Sequence, residues 1–185
     1  MTRPMPGGRR RVDVVLAPDF VADLGGQSLA ELRARRHEAE QEEADLSFLR
    51  RMLHGRMAIV EAELSRRNPD HEAASVVDEL SRILGDEQRS TRGSGRYITV
   101  EPSRVDEHRR DVEQVVGDAT MSDVEARTDD ELREALTRLA THEAEVSEVR
   151  REVQKVMDVL SAEVGARYRD GSASVDDLLA PGTGA

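Results

Sequence analysis

Over residues 132–160 the positions Leu132, Ala135, Leu139, His142, Val146, Val149, Val153, Val156 and Leu160 follow one another in alternating steps of three and four, and all but His142 are apolar. Leu46, Leu49, Leu53, Met57, Val60 and Leu64 come close to repeating the series about a hundred residues earlier. This spacing keeps one narrow face of an α-helix apolar along its whole length, the signature of a coiled-coil seam. The stretches are copies. Glu43-Ala44-Asp45-Leu46-Ser47-Phe48-Leu49-Arg50-Arg51 stands 100 residues before Glu143-Ala144-Glu145-Val146-Ser147-Glu148-Val149-Arg150-Arg151. Upstream, Ser28-Leu29-Ala30-Glu31-Leu32-Arg33 matches Thr128-Asp129-Asp130-Glu131-Leu132-Arg133; downstream, Met57, Val60 and Glu63 match Met157, Leu160 and Glu163.

Both copies open on a capping box, Ser28 with Glu31 and Thr128 with Glu131, in which hydroxyl and carboxylate satisfy free amides at a helix start. The first helix is predicted over 28–67, stopped by Asn68-Pro69. The second is predicted over 128–168, stopped by Asp170-Gly171. Forty helical residues span about 60 Å, too long for a compact bundle of this size. The expected fold is all-α: a long antiparallel two-helix coiled coil with shorter packed helices and flexible termini. Leucine in one copy against valine in the other predicts that the copies pair. Linker length allows an antiparallel hairpin, but leaves open parallel pairing and pairing between two chains.

The rest of the chain is subordinate. Residues 1–27 read as a flexible N-terminal arm whose apolar run Val12-Asp13-Val14-Val15-Leu16-Ala17-Pro18 packs on the coil in extended form, with Phe20 and Leu24 adding to the contact. A shorter amphipathic helix is expected over 70–84, with Val76, Val77, Leu80, Ile83 and Leu84 on its apolar face and Gly85 as cap. A linker follows over 85–104, including an extended piece at Tyr97-Ile98-Thr99-Val100. A weakly apolar helix over 103–117 comes next, and residues 171–185 form a flexible tail.

Composition narrows the function. Of 185 residues 35% are charged and 2% aromatic, without Trp, which suits solvated amphipathic helices and not a large core. A net charge of −11 argues against DNA binding and against an anionic membrane surface, and favours a basic protein partner. Without Cys there is no disulfide or thiolate chemistry. No apolar run is long enough to span a membrane and the N-terminus lacks a signal-peptide stretch, so a cytoplasmic protein is expected. His37, His71, His108 and His142 do not cluster with carboxylates, so no metal is assigned; His142 belongs to the seam. No catalytic triad or phosphate-binding glycine loop can be placed, and no catalytic residue is assigned.

The chemistry lies beside the seam. Glu143, Ser147, Arg150, Gln154 and Asp158 fall within about 80° of one helix face, about a quarter turn from the apolar stripe, where they flank the interface and stay exposed. Arginine binds phosphate through two donors and stacks on bases. A carboxylate accepts from the N1–H and N2–H groups of guanine, while Ser and Gln serve base edges or phosphate oxygens. Together they can read a phosphorylated guanine nucleotide. The competing reading is a solvated polar stripe, with Arg50 and Arg150 in intrahelical ion pairs.

The spacing Glu-x3-Ser-x2-Arg-x3-Gln-x3-Asp, carried on the long helices of an antiparallel coiled coil, resembles the RsiG family of actinobacterial anti-sigma factors. So does the run Leu46-Ser47-Phe48-Leu49-Arg50-Arg51-Met52-Leu53-His54-Gly55-Arg56. The resemblance covers both long helices and their caps. It implies cyclic di-GMP as ligand and a sporulation sigma factor of the WhiG type as partner, with late developmental genes silenced. The implied ligand residues are Glu43, Ser47, Arg50 and His54 in the first copy, and Glu143, Ser147, Arg150, Gln154 and Asp158 in the second, with Arg51, Arg151 and Lys155 placed to assist. The first copy departs from the family pattern, with His54 for Gln and Ala58 for Asp. That departure motivates an alternative, a sigma-binding or adaptor paralogue that no longer requires the nucleotide. A coil that only associates with itself is the third possibility.

Overall fold

The computed structural model describes residues 4–68 and 124–171. These residues form a short helix α1 (Arg11–Val15), a long helix α2 (Leu29–Arg67) and a second long helix α3 (Asp129–Arg169), with 3₁₀ turns at Pro18–Val21, Leu24–Gly26 and Val124–Ala126. Among the described residues there is no strand. The helices expected over 70–84 and 103–117, the linker 85–104 and the tail beyond Gly171 lie outside the described residues.

Both capping boxes form. The Ser28 amide donates to Glu31 Oε2 at 2.7 Å, and the Glu31 amide donates back to Ser28 Oγ at 3.2 Å. Thr128 and Glu131 repeat this at 2.8 and 3.3 Å. With both carboxylates engaged as acceptors from cap hydroxyl and amide, the proton affinities of Glu31 and Glu131 fall below the usual range. α3 stops where Gly171 takes φ +78°, a conformation glycine adopts without penalty, and the Asp170 amide bonds to the Ala166 carbonyl at 3.0 Å.

The two long helices pack against each other within one chain. The chain divides into two compact units, Met1–Ser47 with Ser147–Ala185, and Phe48–Val146. Each contains part of α2 and part of α3. In the first unit Arg33 meets Tyr168 and Glu43 meets Arg150, so the helices run antiparallel. Its core holds Leu32, Ala39, Leu46, Val149, Val153, Leu160 and Val164. In the second unit Arg50 meets Glu143 and Arg67 meets Asp129, again antiparallel. Here Val60, Leu132 and Ala135 form a buried cluster against Leu64, Val124, Leu136 and Leu139. Every seam position expected from the spacing is buried or half-buried, including His142.

The N-terminal stretch departs from expectation. The run read as an extended arm is helical in α1. An extended chain would put Val12 and Val14 on one side; instead Val12 and Val15, one helical turn apart, are buried and Val14 is exposed. Asp13 decides this, because it accepts the Arg10 amide at 3.2 Å and the Met5 amide at 2.7 Å, with the Arg10 guanidinium also bound at 2.6 and 2.8 Å. The bonds to Arg10 lead in holding its carboxyl below the ordinary range. Arg11 then anchors α1 to α2. Its Nε donates to the fully buried Glu42 at 2.8 Å, and its Nη2 donates to Asp45 and to the Gln41 carbonyl. Burial opposes the Arg11 charge, yet Glu42 and Asp45 outweigh it and raise its pKa.

Candidate functional site

The glutamate and arginine of each motif copy are seven residues apart. Two helical turns separate them by about 10 Å along the axis, so they cannot pair on their own helix. They pair across the seam. In the first unit Arg150 Nε donates to Glu43 Oε1 at 2.8 Å and to Ser47 Oγ at 2.7 Å. The same Oε1 accepts from Gln154 Nε2 at 3.1 Å and from Ser47 Oγ at 3.0 Å. Three motif residues from both helices therefore converge on one carboxylate oxygen. In the second unit the helices exchange roles. Arg50 Nε donates to Glu143 Oε1 at 2.8 Å, and His54 Nε2 lies 3.1 Å from the same oxygen. His54 thus occupies the place that Gln154 takes in the other copy.

The intrahelical pairs of the competing reading for Arg50 and Arg150 give way to interhelical ones. The stripe is also less exposed than expected: the Arg150, Glu43, Arg50 and Glu143 side chains retain 27, 20, 37 and 20% of their free surface. Partly exposed pairs of this kind contribute on the order of 1 kcal/mol, so the fold rests on the seam more than on them. Among the described residues Arg50 and Arg150 hydrogen-bond through Nε alone, which leaves the Nη donors of each guanidinium without an acceptor there. A fixed planar guanidinium with one edge held and one edge open is suited to bidentate phosphate binding.

Other candidates are placed differently. Ser147 is half-buried one turn after Glu143, and its carbonyl accepts from Arg151 Nε at 3.1 Å. Lys155 pairs with Glu152 at 2.7 Å. Asp158 is exposed on α3 one turn beyond Gln154, with no hydrogen-bond or ion-pair partner among the described residues; it is not drawn into the cluster. Ala58, at the equivalent position of α2, is half-buried. Among the described residues no three potential metal ligands come together, and no helix is long and apolar enough to cross a membrane.

Sequence reasoning missed a second duplicated feature. Arg167 Nε holds Glu163 at 2.9 Å while its two Nη atoms donate to the carbonyls of Gln27, Leu24 and Gly25 at 2.9, 2.8 and 3.1 Å. In the other unit Arg67 Nε holds Glu63 at 2.6 Å while its two Nη atoms donate to the carbonyls of Arg127, Val124 and Glu125 at 2.5, 2.9 and 3.1 Å. Each long helix thus ends in an arginine that grips the 3₁₀ turn leading into the other. The signal was present in the match of Arg67 to Arg167. It was masked because the gripped positions, Gln27 against Arg127 and Gly25 against Glu125, contribute only carbonyls and need not resemble one another.

A family model described as RsiG-like matches residues 18–84 and 118–181, more than half of the chain. No curated protein matches it.

Proposed function

Because the chain belongs to the RsiG-like family and so has the general role of an anti-sigma factor, we propose that it holds a WhiG-type sporulation sigma factor inactive in response to cyclic di-GMP. The observation that carries the reading is the reciprocal pairing of Arg150 with Glu43 and of Arg50 with Glu143 through Nε, which holds two guanidiniums beside the seam with their Nη donors unbonded among the described residues. In this reading phosphates bind the Nη edges of Arg50 and Arg150, and Ser47, Ser147, His54 and Gln154 supply polar contacts around them. Glu43 and Glu143 hold the arginines in place, and Asp158 reads the guanine edge. The nucleotide bridges the coil to a sigma factor whose direct contact is insufficient. The coupling is reciprocal, so the partner tightens the nucleotide as much as the nucleotide tightens the partner. The role is regulatory binding without catalysis, performed in the cytoplasm.

Calorimetric titration of the chain with cyclic di-GMP, alone and with a WhiG-type sigma factor, tests this. Arg150→Ala should abolish nucleotide binding and nucleotide-dependent capture of the sigma factor while leaving helix content unchanged. Ala58 favours the second reading, a paralogue that binds sigma factor without the nucleotide; there Arg150→Ala leaves capture nearly intact.

A further inference from the structure

We infer, resting on the nucleotide reading above, that Arg36 is a further ligand-binding residue: it takes a second phosphate at the cluster in the first unit, so that this cluster holds both phosphates of one cyclic dinucleotide. Arg36, Glu40, Glu43 and Ser47 follow one another in steps of four, three and four, which places them on one face of α2. That is the face on which Glu43 and Ser47 meet Arg150 and Gln154 across the seam. Arg36 stands two helical turns before Glu43, about 10 Å along the axis. Because the helices run antiparallel and Arg33 meets Tyr168, Arg36 lies on the side of Arg150 toward Asp158. Its setting repeats that of Arg150. Its Nε forms an ion pair with Glu40 Oε1 at 3.3 Å that is not aligned for a hydrogen bond. Among the described residues neither that buried atom nor either Nη has a hydrogen-bond acceptor. Two guanidiniums thus stand on one face, each beside a glutamate and each with its Nη donors unbonded among the described residues.

Helix stability does not account for Arg36. An arginine four residues ahead of a glutamate is the weaker order for a pair on one helix, and with side chains 33 and 29% exposed this pair contributes little. Phosphate chemistry does account for it. A cyclic dinucleotide carries two phosphodiesters in one ring, each with a negative charge, and a site with one arginine leaves the second charge to water. Arg150 and Arg36 meet the two charges through paired N–H donors. The other copy lacks this device. Leu136 stands at the position of Arg36 and packs against the buried cluster of Val60, Leu132 and Ala135. Ala140 stands at the position of Glu40. The second unit therefore has the Arg50–Glu143 pair without the further arginine, so its cluster binds one phosphate where the first binds two.

The test is calorimetric titration of the full chain with cyclic di-GMP, alone and with a WhiG-type sigma factor. Arg36→Leu, which copies the residue of the other unit, should weaken binding roughly tenfold or more, the effect of losing a hydrogen bond to a charged group. Arg36→Gln, which keeps a good helix former at the position, should lose as much with helix content unchanged. Arg138→Leu removes the same charge from an exposed pair with Glu134. It lies about 18 Å along α3 from Arg150, beyond the reach of unscreened charge, and should change binding by less than about twofold. If the Arg36 variants bind cyclic di-GMP within about twofold of the natural chain, or if Arg138→Leu loses as much as they do, the inference is overturned. The nucleotide reading then still stands on the loss of binding in Arg150→Ala. If the natural chain binds no cyclic di-GMP in either setting, the nucleotide reading itself falls, and the role of Arg36 with it.

Discussion

Glu63 is a carboxylate strongly shifted by its surroundings: hydrogen bonds from Arg66 and then Arg67 lower its pKa from 4.5 to about 2. Because the folded pKa is depressed, its contribution to stability is fully present above pH 4.5 and is lost as the pH falls toward 2. Glu63→Gln should therefore lower the urea midpoint at pH 7, and the difference from the natural chain should shrink through that window. A difference that stays constant down to pH 2 would mean that packing, and not charge, is what Glu63 supplies. At this scale the sequence was partly legible. Local spacing identified which residues share the Glu43–Ser47 face, and it exposed the contrast between Asp158 and Ala58. It could not identify Arg150 as the partner of Glu43, because a contact between residues 107 apart depends on the alignment of two helices and not on either alone.

The long elements were legible because several local signals agreed. Cap, seam and stop all pointed to α2 and α3, and their observed bounds, Leu29–Arg67 and Asp129–Arg169, differ from expectation by a single residue at the edges. α1 was not legible, since a short, mostly apolar run fits a strand or a helix equally well. Its form was settled by Asp13 and by the distant Glu42, which takes the Arg11 guanidinium. Arg11→Ala would strip Glu42 of that cation while keeping it fully buried, and should cost roughly 3 kcal/mol in urea denaturation. The pair Arg11→Met with Glu42→Leu should recover most of that loss, since well-packed apolar replacements of a buried ion pair are often neutral. If the single change costs no more than the double, Arg11 serves mainly as packing.

For the whole molecule, stability rests on the seam and function on what borders it. Leu53 is fully buried, and Leu53→Ala should cost about 2–5 kcal/mol. Arg150→Ala should cost at most about 1 kcal/mol while removing ligand binding. Denaturation curves for the two variants, set beside their binding, would expose the division; equal losses of stability would deny it. The arginines at the helix ends, Arg67 and Arg167, add a constraint that the seam cannot supply. A repeating apolar stripe is content with any slide of seven residues. Such a slide moves a turn by about 10 Å and takes it out of reach of its arginine. Lineages that lengthen or shorten this coil can therefore do so only in step. Seven residues gained in one helix alone would preserve the stripe and unseat a grip, so tolerated changes should come as matched insertions, one per copy.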